Sequence, residues 1–190
     1  MSAARKARNA GQVCTSPTRF FVDEKIFQPY AAAFAARAAA VRIGDGMLPG
    51  VEMGPVANHR RIEAIEALVE DARAKGAKVL TGGVRPNGPG YFYPVTVLAE
   101  VPDDARVMRE EPFGPLAIIN PTANLDQAID RANALPFGLA AYAFTHRAAT
   151  VDRLMTEIEA GNLSINTLEA SVAEVPFGGV KFSGHGREGG

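Results

Sequence analysis

The sequence predicts an α/β fold: a three-layer domain with a mostly parallel sheet flanked by helices. Three observations predict it. Short, continuous apolar runs of strand type alternate with segments of helical period. The runs are apolar throughout rather than at every second residue, as strands covered on both faces are. Clusters of Gly and Pro punctuate the boundaries. Strand-helix alternation of this kind builds βαβ units with right-handed crossovers.

The elements follow in order. Residues 1–13 read as a helix or the end of one. Arg19 to Asp23 is a short strand. From Glu24 to about Val41 the chain is Ala-rich, with Ile26, Phe27, Tyr30, Phe34 and Val41 at helical spacing. Gly44, Gly46, Pro49, Gly50, Gly54 and Pro55 make Ile43 to Pro55 a loop. Asn58 reads as a cap for a helix that runs to about Lys75 and stops at Gly76. Lys78 to Thr81 is a strand, Gly82-Gly83 a turn, and Tyr91 to Leu98 a strand rich in aromatic and β-branched residues. Leu116 to Asn120 is a strand and Leu125 to Leu135 a helix ended by Pro136. Leu139 to Phe144 is a strand, Ala148 to Glu159 a helix, and Leu163 to Ile165 a strand. From Pro176 the chain is glycine-rich.

Composition bounds the function. Hydrophobic residues make up 47% of the 190 residues and charged residues 22%. That is enough apolar material for a sizeable core in one domain or two small ones. The net charge of −1, with no basic stripe, points to no nucleic acid. No stretch approaches the ~20 apolar residues that span a bilayer, so no membrane partner is expected. A single cysteine with no disulfide framework fits a reducing, cytoplasmic setting. His59, His146 and His185 are scattered and pair with nothing at metal spacing, so no metal site is expected.

That single cysteine is Cys14, in Gly11-Gln12-Val13-Cys14-Thr15-Ser16-Pro17. It is a packing residue, a metal ligand without cysteine company, or a nucleophile. Its place between a helical segment and a loop exposes backbone N–H groups. Lys6, Arg8 and Arg19 are near in sequence, and a positive field favours thiolate over thiol.

Two other segments stand out. Glu110-Glu111-Pro112-Phe113-Gly114-Pro115 is a rigid loop with paired carboxylates. They either sit in water or present one carboxylate to a sugar diol. Pro176-Phe177-Gly178-Gly179-Val180-Lys181 permits a backbone path closed to other residues, as in a tight turn or a pocket wall. Gly184 to Gly189 has no following helix and makes a poor dinucleotide fingerprint.

In this order the three segments resemble the aldehyde dehydrogenase superfamily. Gly11-Gln12-Val13-Cys14 is similar to its nucleophile motif and Glu111-Pro112-Phe113-Gly114-Pro115 to its glutamate motif. The run from Pro176 through Gly189 is similar to its carboxy-terminal signature. The resemblance covers essentially the whole chain, Gly44-Asp45-Gly46 and Met53-Gly54-Pro55 included. It implies a catalytic domain over residues 1–190 and a catalytic Cys14 that forms a thioester from a small-molecule aldehyde. It implies NAD or NADP as cofactor, with Glu111 on the nicotinamide ribose, Phe113 beside the ring and Phe177 along the aldehyde path. It also implies a longer parent. An N-terminal cofactor domain, carrying the general base and an oxyanion-hole asparagine, would precede residue 1. A C-terminal tail that builds a homo-oligomer would follow Gly190. The chain looks most like the succinate-semialdehyde dehydrogenase branch, in which Arg8 and Ser171 would bind the substrate carboxylate. Ser16 stands where that branch sometimes carries a second, redox-active cysteine. The alternative is a folded but catalytically incompetent fragment with only thiol or esterase reactivity, which would self-associate through the face its partner domain covers.

Overall fold

The structure is a computed structural model that describes residues 2–190; Met1 lies outside them. Contacts divide the chain into two compact units, Met1–Pro121 and Thr122–Gly190.

The first unit is a four-stranded sheet with helices. In chain order it contains α1 (Ser2–Ala7), β1 (Arg19–Asp23), α2 (Glu24–Ala39), α3 (His59–Ala74), β2 (Lys78–Thr81), β3 (Thr96–Ala99), α4 (Arg106–Arg109) and β4 (Leu116–Thr122). The strand order is β1-β4-β3-β2. The pair β3/β4 is parallel, in register Thr96 to Leu116 through Ala99 to Ile119. The pair β2/β3 is antiparallel. The expected α/β class stands, and the sheet is mixed. The connection sets the direction of each pair: β2 returns to β3 through a Gly- and Pro-rich loop, whereas β3 reaches β4 through a crossover containing α4.

Every residue of β3 is buried, so both faces of the sheet are covered. Phe27, Ala31, Phe34 and Ala38 of α2 and Ile62, Ile65, Leu68, Val69 and Ala72 of α3 share one core with Val97, Leu98, Ile118 and Ile119. Phe20 meets Phe34 edge-on at 5.2 Å between ring centroids. The Asn58 carboxamide accepts from the Arg61 N–H at 3.1 Å, capping α3 as its sequence position predicts. The expected strand from Tyr91 to Leu98 pairs only from Thr96. Pro94 has no N–H to give a ladder, and Tyr93 and Val95 are buried by core packing instead.

The second unit contains α5 (Leu125–Asn133), β5 (Phe137–Gly138), β6 (Ala140–Ala143), α6 (Ala148–Glu157), β7 (Asn162–Ile165) and β8 (Val180–Lys181). Its strands form two pairs, β6/β7 parallel and β5/β8 antiparallel. Ile129 and Leu154 are the buried side chains of α5 and α6.

Candidate active site

Cys14 follows a left-handed turn. The helix α1 ends at Ala7. Asn9 and Ala10 then take φ of 49° and 52°, and Gly11 71°. The Gln12 N–H donates to the Asn9 carbonyl at 3.0 Å and closes the turn. Two side chains lock it. Asn9 Nδ2 donates to the Gln12 carbonyl at 2.9 Å, and Gln12 Oε1 accepts from the Ala57 N–H at 2.9 Å. Asn tolerates left-handed backbone, but Ala10 gains nothing from it. This is strain held by its surroundings, of the kind that collects at functional sites. The turn leaves the Cys14 side chain exposed. Its backbone N–H finds no acceptor among the described residues. An exposed thiol beside an unpaired N–H is the arrangement a nucleophile needs to form and hold an oxyanion.

The glutamate loop packs directly on this turn. A Cβ on Gly11 would overlap the carbonyl of Gly114, so only glycine permits the approach. The loop is anchored from α3, where Arg61 Nη1 donates to the Pro112 carbonyl at 3.1 Å. Phe113 is half-buried. Its φ of 38° makes it a further left-handed non-glycine residue at the same junction.

The structure divides the paired carboxylates. Glu110 caps the end of α4 and takes a bidentate grip from Arg106, at 2.7 and 3.0 Å. The Arg106 guanidinium holds its carboxyl below the usual carboxylate range. Arg106 in turn donates its backbone N–H to Asp71 at 2.7 Å. Glu111, one residue on, is exposed and makes no hydrogen bond or ion pair among the described residues. Glu110 is therefore held in a structural pair, and Glu111 is the member of the two without a partner among the described residues.

Sequence spacing places Lys6 near Cys14 but assigns it no position in the site. It sits with Ala3 and Ala7 on the buried side of α1, with 1% of its surface exposed. Its Nζ donates to Ser16 Oγ at 3.1 Å. Helical spacing within an alanine stripe is the signal that it points inward. Arg8, by contrast, is exposed at the turn and has no hydrogen-bond or ion-pair partner among the described residues.

In the second unit, the Phe-Gly-Gly segment is held by side chains of its own neighbourhood. Asn162 Oδ1 accepts from the Gly178 N–H at 3.1 Å, and its Nδ2 donates to the Pro176 carbonyl at 3.2 Å. Phe177 exchanges backbone hydrogen bonds with Glu188 at 2.7 and 2.8 Å. Arg187 Nη1 donates to the Gly179 carbonyl at 2.8 Å. A Cβ on Gly178 would overlap the Gly186 carbonyl. Lys181 donates to the carbonyls of Asn133 and Leu135 at the end of α5. Phe177 is half-buried, and Ser171 is exposed on the preceding loop. The structure thus joins the Cys14 and Glu111 segments in the first unit, and the Phe177 and Arg187 segments in the second.

A groove of about 450 Å³ along α3, lined by Glu66, Glu70, Arg73, Arg85 and Tyr93, contains none of the predicted site residues. Among the described residues no group of His, Cys, Asp or Glu is arranged to hold a metal, and no helix is long and apolar enough to cross a membrane.

Known proteins are similar to this chain over nearly all of its length. The 4-(hydroxymethyl)benzenesulfonate dehydrogenase TsaD1 of Comamonas testosteroni is 49% identical over 97% of this chain and 38% of its own length. The succinate-semialdehyde dehydrogenase [NADP(+)] 1 of Mycobacterium tuberculosis is 41% identical over 96% of this chain and 40% of its own. The NAD+ complex of an aldehyde dehydrogenase from Bacillus cereus superposes with a TM-score of 0.94 at 35% identity, over 100% of this chain and 39% of that one. The chain therefore spans about two fifths of the length of these relatives. The aldehyde dehydrogenase family model matches residues 2–190, which include the Cys14 turn and the glutamate loop joined through Gly11 and Gly114: the chain belongs to the aldehyde dehydrogenase family.

Proposed function

We propose that this chain is the catalytic, carboxy-terminal part of an NAD(P)-dependent aldehyde dehydrogenase whose substrate carries an acidic group, succinate semialdehyde first. One observation carries the reading: an exposed Cys14 with an unpaired N–H sits on the loop that packs against the segment of the unpartnered Glu111. The relatives named for a semialdehyde and for a sulfonate supply the acidic group.

The Cys14 thiolate adds to the aldehyde carbon, and the carbonyl electrons move to oxygen. The Cys14 N–H donates to that oxyanion. A bound nicotinamide supplies the hydride acceptor. Loss of hydride from the carbon leaves a thioester on Cys14. Water displaces the sulfur, the acid departs and the thiol is restored. Glu111 would hold the nicotinamide ribose by accepting from its hydroxyls, and Phe113 would flank the ring. Phe177 and Ser171 are assigned by motif to the aldehyde path and the substrate carboxylate. The general base comes from outside these residues, and the parent works as a cytoplasmic homo-oligomer.

Trapping tests the chemistry. In the enzyme containing this chain, succinate semialdehyde with NAD(P)+ should add one acyl group to the peptide bearing Cys14, seen by mass spectrometry after acid quench. An unmodified Cys14 under turnover rules the thioester out. Specificity tests Arg8. Its guanidinium has no partner among the described residues and suits a carboxylate. Arg8→Met should raise KM for succinate semialdehyde by on the order of 10- to 100-fold, while kcat/KM for hexanal moves less than about threefold. Equal losses on both aldehydes would remove Arg8 from substrate binding.

A further inference from the structure

Lys6 is the buried charged side chain among the described residues, and the chemistry above gives it no role. An ammonium carries three donors. Among the described residues Lys6 Nζ has one hydrogen-bond acceptor, the Ser16 hydroxyl two residues beyond Cys14. Burial of such a charge is costly unless something offsets it. The charged group that acts on it is Glu111. Burial pushes the amine down to about 7, and the Glu111 carboxylate pulls the other way. Geometry explains the pairing. Lys6 lies on the helix leading into the left-handed turn, and Gly11 of that turn packs on Gly114 of the glutamate loop. Lys6 therefore lies where the two loops meet, tethered to one and charge-coupled to the other. Glu111 itself makes no hydrogen bond or ion pair among the described residues, and Lys6 is the amine that faces it across this junction.

We propose that Lys6 is a positioning residue: tethered to Ser16 Oγ behind the Cys14 loop, it orients the Glu111 carboxylate toward the nicotinamide ribose. The proposal rests on Glu111 being the ribose-binding carboxylate.

A double-mutant cycle on NAD(P)+ affinity tests it, with Kd measured by calorimetry on the enzyme containing this chain, without aldehyde. Glu111→Gln should weaken binding by about tenfold, the size of one charge-assisted contact. Lys6→Met, which keeps the side-chain volume, should weaken it by about fivefold in the native background and less than about twofold in the Glu111→Gln background, because the two act as a unit. Ser16→Ala should show the same dependence on Glu111 with a smaller amplitude, and it carries the test if Lys6→Met does not fold. An unchanged Kd in Lys6→Met and Ser16→Ala, or losses that simply multiply with that of Glu111→Gln, would overturn the role of Lys6 while leaving Glu111 in place. An unchanged Kd in Glu111→Gln would instead remove the ribose reading and the proposal with it.

Discussion

Cys14→Ala in the enzyme containing this chain is expected to lower aldehyde-dependent reduction of NAD(P)+ by on the order of 10⁴-fold or more, the scale on which loss of a covalent nucleophile acts. Cys14 is the one cysteine of this chain. The substitution removes a side chain that is exposed in this chain. Stability should therefore move by no more than about 0.5 kcal/mol, as for other surface substitutions. Dinucleotide affinity should change little, since Glu111 and Lys6 are untouched. Stopped-flow absorbance of the reduced nicotinamide and a thermal melt check both halves. Activity within tenfold of the parent would mean that the thiol is not the nucleophile, and a large loss of stability would mean that it is a packing residue.

Gly11→Ala is expected to destabilise the chain by roughly 2–4 kcal/mol and to disable the site. Two costs add. The backbone here is left-handed, with φ of 71°. Holding a residue with a Cβ in that region costs about 1 kcal/mol. The new methyl also overlaps the Gly114 carbonyl. Forcing atoms into a packed site costs about 1–3 kcal/mol. The obstacle is backbone, which cannot rotate away, so the turn and the glutamate loop must part. Gly114→Ala makes the informative comparison. Its Cβ meets the Ile65 side chain at 2.7 Å, a methyl that can change rotamer, so its cost should be smaller. Denaturant midpoints of the two variants give the order. A Gly11→Ala chain as stable as the parent would mean that the loops do not depend on this approach.

Much of the fold was legible because local signals and core burial agree. Asn58 caps α3 as its position predicts, and the helices α2, α3, α5 and α6 lie where the apolar period placed them. The extent of β3 was not legible. Tyr93 and Val95 look like strand residues because they are buried, and burial alone does not make a ladder. The two-unit division and the antiparallel β2/β3 pairing depend on long-range contacts that no local period encodes.

The site shows the same division. Residue types and their order supply the reactive inventory: one thiol on a helix-to-loop junction, a carboxylate pair on a proline-rich loop, and a Phe-Gly-Gly segment, in an order that resembles one family. Residue type and spacing suffice there, because a nucleophile and a diol-binding carboxylate require particular functional groups. Tertiary structure alone decided which member of each set is free to act. Arg106 takes Glu110 out of play and leaves Glu111 unpaired among the described residues; a left-handed turn bares the Cys14 thiol and its N–H; and Lys6 is buried beside Ala3 and Ala7 with its amine on Ser16. Those outcomes turn on backbone conformation and on which side chains find a partner across the fold and which do not. That competition between burial and hydrogen bonding is settled only when the loops meet at Gly11 and Gly114.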